Sequence, residues 1–70
     1  MKTKTETKFF TVHDNKYQIV KKQIKSIFNY DHSIHVFDMG SKKVVCGTLC
    51  KNDDSIDDFI VWATDIIKML

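Results

Sequence analysis

Residues 15–28 read NKYQIVKKQIKSIF, and the period of their apolar positions decides how many helices and strands the chain builds. Tyr17, Val20, Ile24, Ile27 and Phe28 recur at intervals that trace one face of a helix. The polar residues between them, Lys16, Gln18, Lys21, Lys22, Gln23 and Lys25, are good or tolerable helix formers. Asp14 or Asn15 stands where a side-chain oxygen caps the first free amides. A competing reading runs a hairpin through an Asp14-Asn15 turn and makes Tyr17–Lys21 a strand. The helical stripe is the longer match, so residues 16–28 are expected to form a helix.

On its amino-terminal side, Thr3, Thr5, Thr7, Phe9 and Thr11 alternate with Lys4, Glu6, Lys8, Phe10 and Val12, the period of a strand. Residues 1–7 are polar on both faces and are expected to fray or lie at a sheet edge, leaving Lys8–Val12 as the buried part. On the carboxy-terminal side, Asn29–His32 is a polar break. Ser33–Met39 and Lys43–Cys50 then read as two strands around Gly40-Ser41. A one-residue slip at that turn exchanges the two faces, so either Ile34/Val36 or His35/Phe37 faces the core.

The last segment carries the longest helical stripe: Ile56, Phe59, Ile60, Ala63, Ile67 and Leu70. Ser55 with Asp58 reads as a capping box, Asp57 and Asp58 complement the positive end of the helix dipole, and Lys68 complements the negative end. Leu70 lies on the apolar stripe, so the carboxy terminus is expected to dock. The elements sum to a small single α+β domain over residues 1–70 in the order β-α-β-β-α. A three-stranded, largely antiparallel sheet would carry two helices on one face.

With 43% hydrophobic residues the chain is far from a disordered composition. Its eleven basic residues are all lysine, and the formal net charge is +2. Lysine lacks the planar fork that reads guanine edges, which argues against sequence-specific duplex DNA recognition. The wealth of Ile, Lys, Asn, Asp and Phe follows AT-rich codons, pointing to a low-GC bacterium, a phage or another mobile element. No apolar run reaches the ~18–20 residues that span a bilayer, and residues 1–8 lack the apolar core of a signal peptide, so the expected location is cytoplasmic.

Cys46 and Cys50 are the only cysteines. On a strand they share a face about 13 Å apart, beyond the reach of a disulfide or a shared zinc. The expectation is therefore two thiols acting as small apolar residues, with no metal and no cofactor. The competing zinc reading needs a tight turn at Gly47 and ligands from His13, His32 or His35. A two-residue turn at Gly40-Ser41 would set His35 across from Cys46 as a nucleophile pair. The chain has neither a Gly-rich loop nor room for a cleft, and no enzyme is expected. The acidic stretch at residues 52–58 lacks the ligand spacing of a calcium loop, and helix-start electrostatics account for it.

Two binding surfaces remain. Trp62, Ile66 and Met69 widen the apolar arc of the last helix, and Val61 lies outside even that arc. Trp62, Val61 and Met69, with Asp58 and Asp65 around them, form the expected contact surface of a non-enzymatic protein-binding module. Its partner is another protein or a second copy of the chain. In a phage or mobile element such a module would inhibit or modulate a host or defence protein. The alternative is nucleic-acid binding by Lys21, Lys22 and Lys25 on one flank of the expected first helix.

Overall fold

A computed structural model describes residues 5–70. It holds four strands, β1 (Thr5–Val12), β2 (Asn15–Ile27), β3 (Tyr30–Asp38) and β4 (Val44–Cys50), and one helix, α1 (Ile56–Met69). The strands form one antiparallel meander in the order β1-β2-β3-β4. The expected three strands and two helices are thereby corrected to four strands and a single carboxy-terminal helix. Among the described residues no helix is long and apolar enough to cross a membrane.

The correction falls on residues 16–28. His13 and Asp14 take positive φ values of 51° and 65°, and Val12 pairs with Asn15 across them. Two consecutive positive φ values match the right-handed twist of a two-residue hairpin. The turn therefore lies one residue earlier than the Asp14-Asn15 turn of the competing reading. β2 continues from it with period two: Tyr17, Ile19 and Lys21 are buried on one face, while Gln18, Val20 and Lys22 point to the other. Tyr17 and Val20, neighbours on the helical stripe, thus lie on opposite sides of the sheet. Flanked on both sides by strands, β2 gains ladder hydrogen bonds and packing on two edges, and this outweighs a helix preference worth tenths of a kcal/mol per residue.

α1 covers one face. Val12, Tyr17, Ile19, Ile34, Val36 and Cys50 from the sheet meet Ile56, Ala63 and Ile67 from the helix. Ile34 and Val36 face the core, which settles the register left open at the third hairpin. The Ser55 side chain caps α1 by accepting from the Asp57 amide, rather than through Asp58. Leu70 is 87% exposed, so the expected docking of the last residue does not occur.

Lys21 is buried in this layer at 3% exposure. Its ammonium donates to the Asn52 carbonyl at 2.9 Å and to the Asp54 carbonyl, clipping β2 to the loop that leads into α1. Among the described residues no buried side-chain polar atom lacks a hydrogen-bond partner.

Candidate functional site

With one helix for a four-stranded sheet, one sheet face has no covering element among the described residues. Strand register sets its composition row by row. Phe9 pairs with Gln18, which pairs with Phe37. The next row is Thr7, Val20, His35 and Gly47, and the one beyond it Thr5, Lys22, Ser33 and Leu49. Thr11 and Lys16 close the other end.

Aromatic rings and lysines share this face. Phe9 is 53% exposed, and the Lys16 ammonium lies 5.3 Å from its ring centroid, within cation–π range. His35 and Phe37, two residues apart on β3, stack with centroids 6.4 Å apart and planes 29° from parallel. Gly47 keeps the neighbouring position open: a Cβ there would stand 3.4 Å from His35 Cδ2 and 3.0 Å from the Ile34 carbonyl oxygen. On the other side of Phe37 from His35, a cavity of about 260 Å³ is lined by Gln18, Phe37, Asp38, Met39 and Lys42.

Most of the acids lie on the helix side, which also holds Lys8, Lys21 and Lys68. None of the rows above contains a carboxylate. Asp38 accepts from the Gly40 and Ser41 amides, Asp31 accepts from His32 Nδ1 at 2.8 Å, and Asp14 lies exposed in the turn beyond the Thr11–Lys16 pair. The hydrogen bond from His32 holds the Asp31 carboxyl below its ordinary range. Asp53, Asp54, Asp57, Asp58 and Asp65 all belong to α1 or the loop before it. Lys8 of β1 pairs with Asp57 at 2.8 Å on that side.

The residues expected to bind a protein lie on α1. Val61 and Met69 are 63% and 85% exposed, with Asp58 and Asp65 exposed along the same ridge. Trp62 turns partly inward, where it is half-buried and meets Phe59 edge-on with centroids 6.1 Å apart. The three lysines of the alternative do not share a flank. Lys21 is the buried clip, Lys22 points to the uncovered face, and Lys25 is exposed in the bulged stretch between Gln23 and Ile27.

Cys46 and Cys50 are free and lie on one strand, facing the helix layer with Val36 and His32 as register partners. Burial pushes both thiols above their ordinary value. His35 pairs with Gly47 rather than Cys46 and points to the uncovered face, so the postulated Cys–His pair does not assemble. Among the described residues no three His, Cys, Asp or Glu groups come together as a metal site.

Sequence reasoning missed Phe9, Lys16, His35 and Phe37 as a set, because a helix over residues 16–28 separates Lys16 and Lys22 from the aromatics. The available signal was the alternation of Lys16, Gln18, Val20 and Lys22, which becomes a face once the stretch is extended. Comparison of the chain with protein-family models, with curated proteins and with solved structures finds no match.

Proposed function

We propose that the protein binds single-stranded nucleic acid on the uncovered face of its sheet, without catalysing a reaction. The observation that carries this reading is the coincidence, on a face with no carboxylate in its rows, of Phe9, His35 and Phe37 with Lys16 and Lys22. Bases of a single strand stack on exposed rings at about 1–3 kcal/mol each, while lysines follow the phosphates. Phe9 and Phe37 stand two strands apart, roughly 10 Å, with the Gln18 amide between them as a hydrogen-bonding group. A duplex hides its base faces and fits such a platform poorly. A cytoplasmic setting, where thiols stay reduced, suits the free Cys46 and Cys50.

Fluorescence anisotropy with labelled single-stranded and duplex oligonucleotides tests the reading. Single strands are expected to bind more tightly, with affinity falling steeply as salt rises. Phe37→Ala is expected to cost about 1–3 kcal/mol of binding. Lys16→Gln and Lys22→Gln should each flatten the salt slope by about 0.7. No binding at low salt would refute the proposal.

A second reading, protein binding, is favoured by the exposed Val61–Met69 ridge on α1. It predicts that Val61→Ser and Met69→Ser abolish association with a protein partner or a second copy while leaving oligonucleotide affinity unchanged.

A further inference from the structure

The second hairpin breaks a rule of turn chemistry in the open. Ile27 pairs with Tyr30 across a two-residue turn in which Phe28 and Asn29 hold φ values of 49° and 70°. Such turns select Gly, Asn or Asp, because a bulky side chain is disfavoured at positive φ. Phe28 therefore carries backbone strain, yet it is 88% exposed and repays nothing by packing. Ile27 and Tyr30 beside it are 45% and 38% exposed. The first hairpin of the same sheet, turning through His13 and Asp14, has no such apolar tip.

The β2 side of the shaft below the tip is cationic, while β3 contributes Asp31, whose carboxylate accepts from His32 Nδ1. Between Asn15 and Tyr30 the sequence contains Lys16, Lys21, Lys22 and Lys25 and no acidic residue. Of these, Lys22 and Lys25 are exposed between the uncovered face and the tip. Near the tip the register skips, so that Ile24–Ser26 stand opposite the single residue Asp31. Bulges of this kind increase strand twist and re-aim the end of the hairpin beyond them. The tip extends past β4, whose pairing with β3 ends at Cys50–His32.

We infer that Phe28 is a wedge that inserts between adjacent bases of the bound strand, with Lys22 and Lys25 holding the flanking phosphates. The inference rests on the nucleic-acid reading above and assigns the tip a separate contact within it. Charge complementarity selects a polyanion for this finger, and an unstacked base step supplies the apolar slot that a lone exposed ring fills.

The test compares the native protein with Phe28→Asn and Phe28→Trp on a single-stranded oligonucleotide carrying 2-aminopurine between two adenines. Asn suits positive φ, so Phe28→Asn is expected to melt at or above the native temperature, separating contact from folding. It should bind about tenfold more weakly. On binding, the native protein and Phe28→Trp should raise 2-aminopurine emission more than Phe28→Asn does, because insertion breaks stacking beyond what the Phe9–Phe37 platform breaks. Equal affinity and equal emission for native and Phe28→Asn would overturn the wedge while leaving the platform reading standing. A loss of affinity with the same emission change in all three proteins would also overturn insertion. Failure of the native protein to bind, or its binding only to anionic lipid vesicles, would overturn both.

Discussion

Replacing Lys21 by Met tests the core of the fold, because it removes one charge and keeps most of the buried stem. In the native protein the Lys21 ammonium donates to the carbonyls of Asn52 and Asp54. Hydrogen bonds from a charged donor contribute about 1.5–3 kcal/mol each net of their exchange with water, so the loss is at most roughly 3–6 kcal/mol. Two effects reduce it. Met places an apolar chain of similar length in the 3% exposed site, which offsets part of the loss. Asn52 and Asp54 are exposed, so water can take over part of their carbonyl hydrogen bonding. The expected net loss for Lys21→Met is about 1–2 kcal/mol, or a fall of ~4–16 °C in melting temperature for a chain of this size. Lys21→Ala also removes the buried methylenes, at about 0.8 kcal/mol each, and should cost about 2–3 kcal/mol more. Trp62, the only tryptophan, sits half-buried on α1 and reports urea unfolding through its emission. If Lys21→Met proves as stable as the native protein or more so, the clip is a tolerated burial rather than a stabilising one, and the account of how α1 is anchored fails.

Other expectations concern pH, thiols and packing. Asp31 has a lowered pKa, so its contribution is present above the ordinary carboxylate value and is lost as pH falls through the lower folded value. Acid titration of stability should therefore be shallower for Asp31→Asn than for the native protein. Cys46 and Cys50 have raised pKa values: the folded chain keeps a proton that the unfolded chain gives up, so stability present below about pH 9.0 is lost as pH rises through the folded values. A double Cys46→Val, Cys50→Val protein should lose less stability above that pH. In the native protein a thiol reagent should label half-buried Cys46 before fully buried Cys50. Gly47→Ala forces a methyl to 3.0 Å from the Ile34 carbonyl and against His35. It should cost about 1–3 kcal/mol in thermal unfolding and disturb the His35–Phe37 stack, visible as shifted His35 ring resonances.

Taken alone, the sequence determined what local physics settles. α1 was legible because fourteen residues carry one apolar stripe, a serine cap and acids in the first turn, all interactions within a few residues of one another. β4 was legible because the β-branched Val44, Val45 and Thr48 suit extended chain and Gly47 disfavours a helix, which keeps the two sulfurs apart. The tertiary structure decided residues 16–28. Their apolar positions fit a 3.6 period in isolation, but β1 and β3 offer a ladder on both edges and α1 covers only one face, so a period of two wins. The carboxy-terminal stripe was read too far in the same way: Leu70 continues the period, but it ends exposed. The candidate face was hidden for the same reason, since Phe9, Lys16, Lys22, His35 and Phe37 become neighbours only through the register of three strands. Periodicity within a segment specifies which side chains share a face; only packing between segments specifies which face is left in water.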